Sequence, residues 1–171
     1  DTGVYTQHPD LKNKHVPGFD FISDHENSGD NELGIDSNPE DPGDGQGPGS
    51  SSWHGTHVAG TLAAQTDNND GIAGVSWGAK IMSLRALGKF GGTSYDIMQA
   101  MRFAAGLEND SRTLPNHRAD IINLSLGSNG SSPMEAELYK QIHDMGIMIV
   151  AAAGNDNNSM PFYPAAYDGV I

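Results

Sequence analysis

His54 opens the stretch Trp53-His54-Gly55-Thr56-His57-Val58-Ala59-Gly60-Thr61-Leu62-Ala63-Ala64, in which Val58, Ala59, Leu62 and Ala63 recur at helical spacing. The imidazole therefore stands in the first turn of a predicted helix, with Ser50, Ser51 and Ser52 just before it as candidate caps. The positive end of a helix dipole suits a ring that works uncharged, as a general base near neutral pH. Gly55, Ala59, Gly60 and Ala63 are small enough for close packing, so this helix is predicted to be buried and central. Two other chemistries compete. His54 and His57, one turn apart, could bind zinc, but no carboxylate or third ligand stands at the spacing zinc helices use. Both rings could instead be structural. Asp1-Thr2-Gly3 has the form of the catalytic turn of an aspartic protease, which needs a second aspartate, from a second motif or from a twin subunit in a dimer, to share its proton; no second Asp-Thr-Gly occurs in the chain.

The elements that must position these groups alternate. Val16 to Phe21 reads as a short strand, Ala79 to Leu87 as a buried strand, and Gly88 to Gly92 as a turn. Thr93 or Ser94 can cap a helix with Ile97, Met98, Met101, Ala104 and Ala105 on its inner face. Ala119 to Leu126 reads as the next strand. Ser132-Pro133-Met134-Glu135 fits a capping box for a helix with Met134, Leu138, Ile142 and Met145 inward, stopped by Gly146. Ile147 to Ala152 is an apolar strand running into Ala153-Gly154-Asn155. Such alternation predicts an α/β fold with a parallel sheet and helices on both faces, in which ligands sit at the carboxyl ends of the strands. Asn123 to Gly127 and Ala152 to Asn155 occupy those ends.

Composition narrows the partners. The 171 residues suffice for one domain, and 22 glycines with nine prolines demand many tight turns. A net charge of −13 repels nucleic acid and anionic membrane surfaces and favours cations. No cysteine is present, so thiol chemistry and disulfides are excluded. No apolar run is long enough to span a bilayer. Eight acidic residues between Asp24 and Ser50, with no Lys or Arg among them, form a long loop whose Asp36, Asn38, Glu40, Asp41 and Asp44 suit Ca²⁺; a solvated acidic flap is the alternative. Asp67-Asn68-Asn69-Asp70-Gly71 is a second oxygen-rich turn.

Asp1-Thr2-Gly3 with His8-Pro9-Asp10-Leu11, His54-Gly55-Thr56-His57-Val58-Ala59-Gly60-Thr61, Asn123-Leu124-Ser125-Leu126-Gly127 and Ala152-Ala153-Gly154-Asn155 together resemble a subtilisin-like serine protease, a subtilase, in that family's order and over the whole chain. The resemblance implies a three-layer α/β/α catalytic domain and an Asp-His-Ser triad, with Asp1 orienting, His54 as base and Asn155 donating to the oxyanion. It implies an extended peptide or protein substrate held between Gly91-Gly92-Thr93 and Ser125-Leu126-Gly127, with Ala153 and Gly154 beside it. Broad endopeptidase activity with an apolar or aromatic residue before the scissile bond, secretion, and a propeptide as possible partner are further implications. So is structural calcium near Asp10 and the loop Gln65 to Val75, which makes Asp67 and Asn69 candidate ligands.

The family's Gly-Thr-Ser-Met-Ala stretch has no counterpart after Asn155, and Ser125 lacks the strand-turn-helix setting of a nucleophile. Residues 1–171 are therefore expected to be part of one catalytic domain, incomplete at both ends, without the first strand and the nucleophile. Alone they are expected to be inactive and prone to aggregate, with Asp1 at a fraying terminus, its carboxylate shared between His54 and the α-amino group, and with Val150 and Ala152 uncovered. A binding domain that never carried the serine is the alternative class.

Overall fold

The computed structural model describes residues 1–45, 47 and 50–171, so positions 46, 48 and 49 of the acidic loop lie outside the described residues. Eight elements follow one another: β1 (His15–Asp20), α1 (His25–Ser28), α2 (His54–Ala63), β2 (Ile81–Arg85), α3 (Ser94–Ala104), β3 (Ile121–Leu124), α4 (Pro133–Asp144) and β4 (Met148–Ala151). The strands pair in parallel, β1 with β2 and β3 with β4, as two separate two-stranded ladders among the described residues rather than one continuous sheet. The β1–β2 register slips between Val16 and Phe19. Pro17 has no N–H to pair there, and a Cβ on Gly18 would collide with the Ser83 carbonyl.

Alternation along β2 sorts the layers. Ile81 packs on Val4, Leu11 and Ala59 of α2, while Met82 and Leu84 point the other way, toward Phe21, Ala100 and Phe103 on the α3 side. This is the three-layer α/β/α arrangement. The larger core lies between α3, α4 and the β3–β4 ladder, where Met101, Leu138, Ile142 and Ile149 are buried. The opposite face of that ladder is open: Ile121 and Met148 are exposed, Val150 is half-buried and Ala152 exposed.

Several local expectations are corrected. The acidic stretch contains a helical turn, α1, because the Asp24 side chain accepts from the N–H groups of Glu26 and Asn27 and Gly29 takes the left-handed cap at φ +69. Helix α2 is only half-buried: Gly55, Thr56, Ala59 and Ala63 face inward, but His54, His57 and Leu62 are exposed. Gly60 has open space around it, so of the helix's two glycines it is Gly55 that serves close packing, a Cβ there colliding with the Gly3 carbonyl. The Ser132 side chain makes no cap bond to α4. Tyr167 takes over, its hydroxyl accepting from Ser132 N at 2.8 Å and donating to Glu135 Oε2 at 2.8 Å, so Glu135 turns outward from the helix end it was expected to cap. Met134 is 70% exposed and contributes nothing to the core.

The strand register also sets Asp20 opposite Arg85. Both are fully buried. Arg85 Nη1 donates to Asp20 Oδ2 and, at 3.1 Å, to Asp30 Oδ2; Nη2 donates to Ser28 O at 2.6 Å and Nε to Thr2 O at 3.1 Å. Burial pushes the Asp20 carboxyl up to about 6, although the Ile22 N–H and Arg85 pull it down.

Two outcomes check this packing. Tyr167→Phe should lower stability by about 1–2 kcal/mol in urea denaturation, whereas Ser132→Ala should be nearly neutral, the reverse of what a capping box requires. Arg85→Met should cost about 3–5 kcal/mol near pH 7 by leaving Asp20 and Asp30 unpaired. An acid whose folded pKa is raised is stabilising below its unfolded value and loses that contribution as pH climbs through the folded one. Losing Arg85 raises Asp20 further, so the deficit should shrink markedly at pH 5, measured by denaturation at both pH values.

Candidate active site

Asp1 is held by its main chain, not frayed. Its α-amino group donates to Leu84 O at 3.1 Å, and its carbonyl accepts from Ala86 N at 2.9 Å and Leu87 N at 3.1 Å, extending the β1–β2 pairing sideways.

The carboxylate points at His54: Nδ1 lies 2.8 Å from Asp1 Oδ1, which also accepts Thr2 N at 2.7 Å. An oxygen that already receives one N–H accepts from the ring as well, so Nδ1 carries a proton, and the uncharged form of the ring has its lone pair on Nε2. Among the described residues no hydroxyl comes within hydrogen-bonding distance of Nε2. Asp1 therefore faces a histidine, the partner that a Ser-His-Asp arrangement requires and an aspartic protease turn leaves unexplained. His57 is exposed, and among the described residues it belongs to no group of His, Asp and Glu side chains close enough to share a metal ion.

Residues outside the motifs tie the two halves together. Thr2 Oγ1 accepts from Gly55 N at 3.0 Å and donates to Asp41 Oδ2 at 3.3 Å. Asp41 also takes Ser51 Oγ at 2.8 Å, and Thr56 Oγ1 accepts from Tyr5 N at 2.9 Å. Ser52 Oγ accepts from His54 N at 3.2 Å, but Trp53 holds the cap position of α2 and no side chain caps the helix, so the expected serine cap does not form. Sequence reasoning missed Thr2 and Arg85, and it read Asp41 as a calcium candidate rather than as the acceptor of Thr2 and Ser51. An arginine inside an otherwise apolar strand was the available signal, since a buried guanidinium must find a carboxylate.

The binding-wall candidates fall into two groups. Gly91, at φ +84, closes a turn with Gly88 and accepts from Asn27 Nδ2 at 2.9 Å, while Gly92 lies against Ala86 O and Leu87. Ser125 Oγ accepts from Asn123 Nδ2 at 3.0 Å, and Leu126 packs on the larger core. A Cβ on Gly127 would collide with the Phe162 ring, and one on Gly154, at φ +89, would come within 3.2 Å of the same ring. Phe162 thus holds the Ser125–Gly127 and Ala153–Asn155 segments together. Ala153 and Asn155 are exposed, and the Asn155 amide is without an intramolecular partner among the described residues.

The calcium candidates do not form one set. Asp41 and Asp44 spend their oxygens on Thr2, Gly43, Ser51 and Ser52. Asp10 is buried, accepts from Ile72 N and Asn68 Nδ2, each at 2.8 Å, and is held below the usual carboxylate range chiefly by that Ile72 N–H. Asp67 and Asn69 are exposed on the neighbouring turn, which with Asn68 and Thr66 encloses a cleft of about 380 Å³. Asp36 joins instead with Asp20 and Asp30, all within 4.8 Å of one another, and its Oδ2 is buried without a partner. Burial raises its pKa.

A family model described as the subtilase family matches residues 1–171. The extracellular basic protease of Dichelobacter nodosus is 38% identical over 186 residues, covering all of this chain and 30% of its own length. Thermitase of Thermoactinomyces vulgaris is 37% identical over 172 residues, covering all of this chain and 51% of its own. A solved structure titled as proteases from Pseudoalteromonas arctica superposes with a TM-score of 0.91 at 40% identity, covering all of this chain and 53% of that one; sphericase gives 0.73 at 31% and covers 50% of that chain. The chain therefore spans between about a third and a half of the length of these relatives. With a paired Asp1 and His54, a parallel α/β/α frame and matches along its whole length, it belongs to the subtilase family.

Proposed function

We propose that the protein carrying these residues is a serine endopeptidase that cleaves peptide bonds by acyl transfer. The observation that carries this reading is the Asp1–His54 pair at 2.8 Å with Nε2 unpaired and exposed. In the proposed reaction Nε2 takes the proton of an attacking serine hydroxyl, Asp1 orients the ring and offsets the imidazolium charge, and the proton then passes to the leaving amine. The Asn155 side-chain amide donates to the carbonyl oxygen as negative charge develops on it. The serine is assigned to a part of the protein outside residues 1–171, consistent with the share of its relatives that the chain spans.

The substrate in this reading is an extended peptide, bound through main-chain groups of Gly91 and Gly92 on one side and Ser125, Leu126 and Gly127 on the other. An apolar or aromatic residue is preferred before the scissile bond, with Ala153 and Gly154 lining that position. Secretion is supported by relatives named extracellular proteases, although another relative is named the major intracellular serine protease of Bacillus subtilis. A propeptide is an expected partner. Calcium is proposed as a structural ion, with the turn around Asp10, Asp67 and Asn69 as its candidate site; Asp36 lies beside Asp20 and Asp30, whose carboxylates already answer Arg85.

In the full-length protein Asn155→Leu should lower kcat by about 10²–10³-fold with KM little changed, because the amide is needed only as charge develops. His54→Ala should cost more and should abolish labelling by a fluorophosphonate. Equal mild losses from both would mean the site is misassigned. Excess chelator should lower the thermal midpoint, since an ion bound only to the folded state stabilises it by mass action. An unchanged midpoint would remove calcium from the proposal.

A further inference from the structure

The residue immediately before His54 carries strain that the fold does not use. Trp53 sits at φ 55 and ψ 25, in the left-handed region that a bulky L residue enters only at a cost. Core burial does not repay it. The indole is 46% exposed and its neighbour Tyr5 is 43% exposed, and neither belongs to a core cluster. Their ring centroids are 6.1 Å apart at 59°, and Tyr5 meets the His8 ring edge-on at 6.4 Å and 87°.

The pair is nevertheless firmly placed. Trp53 N donates to Ser51 Oγ at 2.9 Å, and Trp53 O accepts from His57 N at 2.9 Å. Tyr5 N is tied to Thr56 Oγ1 on α2. Two large rings are thus fixed, tilted and open to solvent, one on the residue that precedes His54 and the other four residues after Asp1. Tilted rings 4.5–7 Å apart are the arrangement into which a further aromatic ring packs edge-to-face or offset.

We propose that Tyr5 and Trp53 form an aromatic subsite that accepts an aromatic side chain of the substrate within two residues of the scissile bond, at a position other than the one directly before it. The proposal rests on the peptidase reading above. Backbone strain kept at an exposed ring beside a reacting group is accounted for by preorganisation: the shelf is set before the substrate arrives, so little ordering remains to be done on binding.

The test uses the full-length protein and peptides in which each position flanking the scissile bond is varied among Phe, Ala and Arg. The wild type should favour Phe over Ala at one position within two residues of the bond other than the one directly before it. Trp53→Gly should cut that ratio about tenfold, mainly through KM, and should raise the thermal midpoint, because glycine takes a positive φ without strain. Tyr5→Ala should lower the same ratio and supplies the reading if the glycine variant is poorly folded. An unchanged Phe-to-Ala ratio in both variants, or an Arg preference at the affected position, would overturn the subsite. A wild type that cleaves none of the peptides would overturn the peptidase reading itself.

Discussion

A guanidinium that water does not reach has to be answered at each of its nitrogens, and at Arg85 that requirement organises everything around the site. Its three nitrogens draw on the carbonyl of Thr2, the carbonyl of Ser28 and the carboxylates of Asp20 and Asp30, which come from three different segments. Such a cluster is costly to assemble and contributes little net stability over an apolar equivalent. Its return is positional. The donor on Nε fixes the peptide after Asp1, the neighbouring amides of Ala86 and Leu87 fix Asp1 itself, and the carboxylate is left one orientation from which it meets His54.

The histidine is aligned from the other side. Asp41 receives the hydroxyls of Thr2 and Ser51, one beside Asp1 and the other just ahead of α2. The contact of Gly55 with Gly3 brings the helix start within reach, and any side chain at Gly55 would push it away. Arg85 sets Asp1 on the strand, and Asp41 sets the helix against it.

What was legible in the sequence follows from what is local. Helical periodicity after His54, the Thr93 cap, the Gly146 stop and the parallel α/β alternation all depend on residues a few positions apart, and all were readable. Long-range polar pairing was not. Asp20, Asp30 and Asp36 look alike in the sequence, and so do Asp41 and Asp44, because an isolated aspartate does not show whether it will meet an arginine 65 residues away, a serine hydroxyl or another carboxylate. The cap of α4 failed for the same reason: Ser132 and Glu135 stand at the right spacing, but Tyr167, 32 residues beyond Glu135, claims both. His54 and Asp1 were legible as a pair through the motif resemblance, and periodicity alone left His54 among several kinds of histidine.

The acidic segment between the two halves of the site is closed off at its base twice. Asp20 and Asp36 exchange both backbone hydrogen bonds, at 2.8 and 3.1 Å, so residues 21–35 leave and return at one point. The Asp41 and Asp44 contacts to Ser51 and Ser52 close the stretch that follows. Lengthening a loop whose ends are already joined costs only about 0.6 kcal/mol for each doubling of its length. The first excursion is not free to change, because Ser28 and Asp30 within it answer Arg85 and Asn27 holds Gly91. The stretch between Asp44 and Ser51 is under no such constraint from Arg85, so it is there that sequence can be gained or lost while the separation of Asp1 and His54 stays fixed.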